Sequence, residues 1–148
     1  MADAHRIRRI ALPLDEPIKV ARESYAPALD ALAFEIEERL KGMVSRPYPP
    51  ASRPGRPPHL RSGDLRNSIT VRREGRRLMA RVIQYGMWLD NPETAPSPPP
   101  YDARPFFSTE VLDRREKWTR RLNTLLRKEE AARRHALRAR MRVGRRVA

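Results

Sequence analysis

Residue types that could carry catalysis are few and scattered in this sequence. The three histidines, His5, His59 and His135, have no second histidine or carboxylate at the spacing of a metal site. There is no cysteine, which excludes disulfides, thiolate catalysis and sulfur-ligated zinc. Asp64 and Asp90 are candidates for an acid–base pair, but nothing flanking them tunes a carboxyl group for catalysis. The sequence therefore predicts no enzyme, no bound metal and no cofactor.

Arginine is the residue whose number and placement indicate binding. The net charge is +14, and the segment from Asp113 to the end holds 14 arginines or lysines against 4 acidic residues. Arginine far outnumbers lysine there, which favours bidentate contacts to phosphate or carboxylate groups. The candidate contacts to a polyanion or an acidic partner are Arg127, Arg133, Arg134, Arg138, Arg140, Arg142, Arg145 and Arg146. No aromatic residue follows Trp118, so any nucleic-acid contact should be to the backbone, independent of base sequence and sensitive to salt.

The amino-terminal half predicts one long helix between two irregular segments. We expect an irregular arm over residues 1–14 and then a helix over 16–41, capped by Asp15 and bent at Pro27. Apolar residues recur there at helical spacing, namely Leu29, Leu32, Ile36 and Leu40. Proline-rich residues 45–58 can form neither a helix nor a central strand. They are either a solvated linker or an arm that lies on a neighbouring subunit.

A compact polar stretch, residues 62–69, leads into a predicted antiparallel hairpin. Ser62 or Asp64 is expected to cap a single helical turn, and Gly63 to permit a tight entry into it. Strands are then predicted over residues 69–74 and 78–84, joined by a turn at Gly75. Alternation places one set of side chains on the face that a helix covers: Leu78, Ala80 and Val82.

The carboxy-terminal third predicts a second proline-rich loop and a second long helix. The loop covers residues 91–103, and Asp102 or Ala103 is the candidate cap of a helix that continues to about Met141. A helix of about 36 residues is ~54 Å long, which exceeds what the core of this chain can cover. Its last half must therefore project from the core or dock onto something else.

These elements predict an α+β fold, with a long N-terminal helix packed on a small antiparallel β-hairpin or sheet and followed by a long basic C-terminal helix. The core domain is expected to span residues 15–126, preceded by the 1–14 arm and followed by a basic helical extension over 127–148. No apolar run approaches the ~18 residues that cross a bilayer, so we expect no membrane partner.

Three short motifs, in this order, resemble those of the neck or minor tail-component proteins of long-tailed bacteriophages, also called head–tail connector or tail-completion proteins. The resemblance covers residues 18–125. The motif residues, candidates for a role in assembly, are Gly63, Leu65, Arg66, Ser68, Ile69, Tyr85, Trp88, Leu89, Arg104, Pro105 and Phe106. Two features depart from the family pattern: a long proline loop precedes the first motif, and Asp90-Asn91-Pro92 replaces Glu-Phe-Gly-Thr after the second.

The resemblance implies a structural virion protein whose copies form a cyclic ring of six or twelve. The ring would lie in the virion neck, after assembly in the host bacterial cytoplasm. It would bind the portal, adaptor or head-closure ring on the head side and the tail terminator or tail tube on the other, with non-specific contact to packaged DNA. In such a subunit, Leu65 and Ile69 would pin the first motif to the core, while Arg66 would reach outward or bond to backbone carbonyls. The alternative is a small basic nucleic-acid-binding protein that contacts the phosphate backbone.

Overall fold

The computed structural model describes residues 3–60, 62–95 and 102–147, and its fold is α+β, as predicted. The elements in chain order are β1 (Ile7–Ala11), α1 (Arg22–Met43), α2 (Asp64–Ser68), β2 (Thr70–Glu74), β3 (Arg77–Ile83), α3 (Gln84–Asp90) and α4 (Arg115–Val147). Two short turns separate α3 from α4, a 3₁₀ turn at Pro92–Thr94 and a wider helical turn at Ser108–Leu112.

The sheet has three antiparallel strands in the order β1-β3-β2. The β2–β3 hairpin confirms the predicted strands, and Leu78, Ala80 and Val82 lie on its buried face. Strand β1 falls inside the arm over 1–14 that was expected to be irregular, and that expectation was wrong. Four of its five side chains are exposed and Ile10 is half-buried, so no alternating apolar pattern marked it. Backbone pairing with β3, from Ile7 opposite Ile83 to Ala11 opposite Met79, makes this strand.

Helix α1 begins six residues later than predicted, at Arg22 rather than residue 16, and Asp15 does not cap it. Side chains of α4 bind the backbone of the segment that precedes α1. The backbone N–H of Asp15 donates to Thr119 Oγ1 at 3.0 Å, and that of Ile18 donates to Asn123 Oδ1 at 3.0 Å. In a helix starting at residue 16 these two donors would have had no intrahelical acceptor, whereas here they bond to α4, so the tertiary contact overrides the local helical pattern. Pro27 lies inside the helix.

The core lies between α1, the first half of α4 and the buried face of the sheet. Leu32, Ile36 and Leu40 of α1 are fully buried, which confirms the predicted apolar row. Burial of each such side chain contributes about 1.5–3 kcal/mol. Helix α4 contributes Trp118, Leu122, Leu125 and Leu126, and Phe106 and Phe107 close the core beneath its start.

The second long helix was predicted to run without a break from about residue 105, and that prediction was wrong. Within the wide turn the Asp113 N–H donates to the Ser108 carbonyl at 2.9 Å, and α4 then starts at Arg115. The Glu110 side chain is buried here against Lys117 at 3.1 Å, and the Trp118 indole donates to the Glu110 carbonyl at 2.8 Å. The apolar periodicity of the sequence could predict neither the burial of the Glu110 carboxylate nor the hydrogen bond of the Trp118 indole. Helix α4 continues to Val147, six residues past the predicted end.

The outer edge of β2 is closed by a buried carboxylate from α1. Glu37 Oε2 accepts the Val71 N–H at 2.9 Å and also an Arg72 guanidinium N–H, while Lys41 bonds the other oxygen at 2.8 Å. Arg72 donates in addition to the Val71 carbonyl at 2.9 Å, so both outward backbone groups of Val71 are satisfied. Burial raises the pKa of Glu37, but the hydrogen bonds from Lys41, Val71 and Arg72 outweigh it and hold the pKa below 4.5. At Val71 the edge strand therefore has no backbone group left to pair with another chain.

Replacing Glu37 by glutamine should lower the free energy of unfolding at pH 7 by about 1–2 kcal/mol, because charge-assisted hydrogen bonds become neutral ones. A carboxylate whose pKa is lowered by folding stabilises the native state above its unfolded pKa, and this contribution is lost as the pH falls through the folded pKa. The difference from wild type should therefore shrink below pH 4.5. Urea unfolding followed by circular dichroism between neutral and acid pH measures it.

Glu38→Gln is the matched control, since the Glu38 side chain is exposed and makes no hydrogen bond or ion pair within the described ranges. Equal destabilisation by the two substitutions would contradict the role given to Glu37.

Candidate functional site

The first motif forms helix α2 and is attached to the end of strand β3. Leu65 and Ile69 are buried, as expected. Ser68 Oγ donates to the Leu65 carbonyl at 2.7 Å and accepts the Ile83 N–H at 3.0 Å, so one hydroxyl joins the turn to the sheet. Arg66 is exposed, and its side chain makes no hydrogen bond or ion pair to any residue that the structure describes. Apart from Arg66, the motif residues hold the fold together.

The entry to α2 depends on Gly63 rather than on a side-chain cap. Gly63 occupies the cap position with φ of +87°, a left-handed conformation that favours glycine. The predicted capping by Ser62 or Asp64 was wrong, because no side chain caps this helix. These two side chains bond each other instead, with Ser62 Oγ donating to Asp64 Oδ2 at 2.9 Å.

The second motif forms helix α3, in which Tyr85, Trp88 and Leu89 are half-buried. Its Gly86 packs directly on the first motif, since a Cβ atom placed there would lie 2.3 Å from Leu65 Cδ1. The Tyr85 N–H donates to the Ala4 carbonyl at 3.0 Å, which ties the N-terminal segment to this helix. Burial raises the pKa of the Tyr85 hydroxyl, and the nearby carboxylate of Asp64 adds to the effect.

The second motif holds the third through the Asp90 carboxylate. Asp90 Oδ1 accepts the backbone N–H groups of Phe106 and Phe107 at 2.8 Å each, and that of Ser108 at 3.1 Å. Asp90 therefore caps the helical turn that precedes α4, and the prediction of Asp102 or Ala103 as the cap was wrong. Asp90 lies some sixteen residues upstream of the donors it serves, so no local capping pattern could reveal it.

Arg104 and Pro105 of the third motif are half-buried, and Arg104 holds the first proline-rich loop. The Arg104 guanidinium donates to the carbonyl and the hydroxyl of Ser52. The backbone N–H of Arg104 donates to the Leu89 carbonyl at 2.7 Å. The Gly55 N–H donates to the Ala103 carbonyl at 2.9 Å. The loop over 45–58 is therefore fastened to the body of its own chain, although most of its side chains are exposed.

The three motifs thus contact one another and form one continuous packed unit. Leu65 meets Gly86, Asp90 caps the turn beginning near Phe106, and Arg104 bonds both α3 and the proline-rich loop. No buried side-chain nitrogen or oxygen in the described ranges lacks a hydrogen-bond partner. Of the motif residues, only Arg66 offers a charged group free for another molecule.

Helix α4 leaves the core after Leu126. Side chains from 131 to 147 are all exposed, including Leu137, Met141 and Val143, whose exposed fractions are 48%, 62% and 63%. At 1.5 Å per residue, the helix from Leu126 to Val147 extends ~32 Å past the core. The arginines predicted to contact a polyanion or partner, Arg127, Arg133, Arg134, Arg138, Arg140, Arg142, Arg145 and Arg146, all lie exposed on this projection.

Two glutamates of α1 and one of α4 fasten the base of this helix to the body. Arg121 bonds Glu35 at 2.6 Å, and the hydrogen bond from Arg121 lowers the pKa of Glu35. Arg133 lies 3.5 Å from Glu23. Glu130 accepts the Ala21 N–H at 3.2 Å at the start of α1, and that bond lowers the pKa of Glu130.

The described residues offer no metal-binding cluster. No group of three or more histidines, cysteines or acidic residues among them could hold a metal ion. His5 and His135 are exposed, and His59 Nδ1 lies 2.6 Å from the Pro50 carbonyl. Within the same ranges, no helix has the length and apolarity required to cross a bilayer.

Comparisons of this chain with models of protein families, with curated proteins and with solved structures found no match. The resemblance of its motifs to phage neck proteins is therefore the basis of a proposal.

Asp90→Ala should destabilise the protein by about 2 kcal/mol, because it removes the acceptor for three backbone donors at a helix start. Asp102→Ala is the matched control, because the Asp102 side chain is exposed and caps nothing. Chemical unfolding of both variants measures the difference. If Asp102→Ala lowers the free energy of unfolding more than Asp90→Ala does, Asp102 is the cap and the role given to Asp90 is wrong.

Gly86→Ala should cost about 1–3 kcal/mol through overpacking against Leu65, although alanine is the better helix former. In a Leu65→Ala background the same substitution should be neutral or stabilising, because the clash is gone. Gly144→Ala, in open space on α4, is the control and should not destabilise. Equal effects of Gly86→Ala in both backgrounds would show that the two motifs are not coupled through this contact.

Proposed function

We propose that this chain is a structural subunit of the neck of a long-tailed bacteriophage, where copies form a ring that joins the DNA-filled head to the tail. The ring would hold six or twelve copies, with a portal, adaptor or head-closure ring on one side and a tail terminator or tail tube on the other. The ordered motifs that resemble neck proteins support the proposal, and so does their arrangement as one packed unit within a single α+β body.

The observation that carries the proposal is the mismatch between the core and helix α4. Leu126 is the last buried residue of the helix, which then runs on to Val147 with apolar side chains exposed to solvent. Leu137 and Met141 stand four residues apart and so lie on the same side of the helix. Exposed apolar side chains on a rigid projection are suited to burial against a neighbour. Head-to-tail contacts of this kind close into a ring when the rotation between copies permits.

In a phage that encodes this chain, deletion of its gene should yield DNA-filled heads and separate tails, and the purified chain should restore joining in vitro. Leu137→Gln with Met141→Gln should lower both joining and the formation of rings, because it removes apolar surface that a neighbour would bury. Electron microscopy and mass photometry measure the two outcomes.

Ala131→Gln with His135→Gln is the control, since these exposed residues have the same spacing on another side of α4. Absence of the chain from purified virions would refute the neck role. A chain absent from virions yet bound to DNA in the host cell would favour the alternative, a small basic nucleic-acid-binding protein.

A further inference from the structure

Five arginines form a row along one side of the projecting part of α4. Successive members are separated by seven, four, four and three residues, which brings them to the same side of an α-helix. The row consists of Arg127, Arg134, Arg138, Arg142 and Arg145, all exposed. It spans ~27 Å along the helix axis. The apolar row of the core, Leu122 and Leu126, continues instead through Arg133 and Arg140, so the five arginines lie on the side away from the body.

The ion pairs of α4 separate the arginines that support the fold from those that do not. Arg121 and Arg133, nearer the body, pair with glutamates of α1. In the row, only Arg134 has an ion pair with a described residue, at 3.2 Å from Glu130 one turn away. Glu129 and Glu130 are the sole acidic residues from 127 to 148, against nine arginines or lysines. The row is therefore a cationic surface that the fold neither uses nor neutralises.

We infer that this row binds the phosphate backbone of duplex DNA without regard to sequence. A duplex presents one negative charge per ~1.7 Å of axis, so a row of ~27 Å faces more phosphates than it has guanidinium groups. Guanidinium groups bind phosphate oxygens in bidentate fashion. From Leu125 to Val147 the helix carries no tryptophan, tyrosine or phenylalanine and no amide or hydroxyl side chain, and so, apart from His135, it lacks the rings that stack on bases and most of the groups that read their edges.

The composition of the row argues against the other polyanionic partners. Specific protein interfaces are organised around buried aromatic or aliphatic anchors, and the row itself contains none. Helices that lie on membranes insert a broad apolar face that commonly includes tryptophan or phenylalanine, and α4 has neither of these residues after Trp118. A row of cations without apolar anchors fits a uniformly charged polymer. This inference goes beyond the proposed ring and does not depend on it.

The test compares two double variants of the full chain that remove the same charge from different sides of α4. Arg138→Gln with Arg145→Gln changes the row, and Arg133→Gln with Arg140→Gln changes the opposite side at the same seven-residue spacing. Glutamine keeps high helix propensity, and circular dichroism verifies the helix. Fluorescence anisotropy with a random-sequence duplex of about 20 base pairs gives the affinity at several salt concentrations.

For the wild-type chain, the logarithm of the binding constant should fall with the logarithm of salt concentration with a slope between about −4 and −5, as five phosphate contacts predict. The row variant should bind roughly tenfold more weakly, with a slope shallower by about 2, whereas the other double variant should stay near wild type. Arg138→Lys with Arg145→Lys, which keeps the charge, should retain the slope and bind with intermediate affinity.

Equal weakening by the two glutamine double variants would show that binding follows net charge rather than the row, and would overturn the inference. Unchanged binding by the row variant would overturn it as well. Polyglutamate serves as the probe for acidic protein surfaces. If polyglutamate binds as tightly as the duplex and depends equally on Arg138 and Arg145, the assignment to DNA is refuted.

Discussion

Helix α4 is anchored in the core by one short apolar segment, and the rest of the structure depends on that limit. The buried apolar side chains of α4 lie against α1 and the turn at Ser108–Leu112, and they are Trp118, Leu122, Leu125 and Leu126. The side chains from 131 to 147 are exposed. The chain has too little apolar surface to enclose a helix of 33 residues. Residues 115–126 of α4 therefore belong to the core, and residues 127–147 form a charged projection whose stability depends on continuity with the anchored part.

Around that anchor, buried polar groups fix how the smaller elements meet. Glu37 closes the edge of β2, Ser68 joins α2 to β3, and Asp90 caps the turn that leads into α4. Each is a side chain from one element that satisfies the backbone of another. Leaving such a buried backbone group without a partner costs more than the net gain from forming the bond, so these contacts specify the arrangement of the elements as well as stabilising it.

The arginines of α4 divide between two roles because of where the core ends. Arg121 and Arg133 are close enough to α1 to pair with its glutamates, and they help to orient the helix. Beyond them, within the described ranges, Arg134 alone pairs with a carboxylate, that of Glu130 on the same helix. The charge that remains there is stable in solution because the helix projects into water, where it is available to an external anion. The proposed ring and the proposed DNA contact use different parts of this projection: exposed apolar side chains for the first, the arginine row for the second.

Sequence alone determined the α+β class, the β2–β3 hairpin with its buried face, the apolar row of α1 and the excess of basic helix over core. These follow from local periodicity and composition, which depend only on neighbouring residues. Only the tertiary structure decided the rest. Strand β1 exists because β3 offers an edge, Asp15 and Ile18 lie outside α1 because Thr119 and Asn123 accept their backbone N–H groups, and Asp90 caps a turn formed by residues far along the chain. In each case a hydrogen bond between distant residues outweighed a weak local preference, and such bonds leave no periodic trace in the sequence.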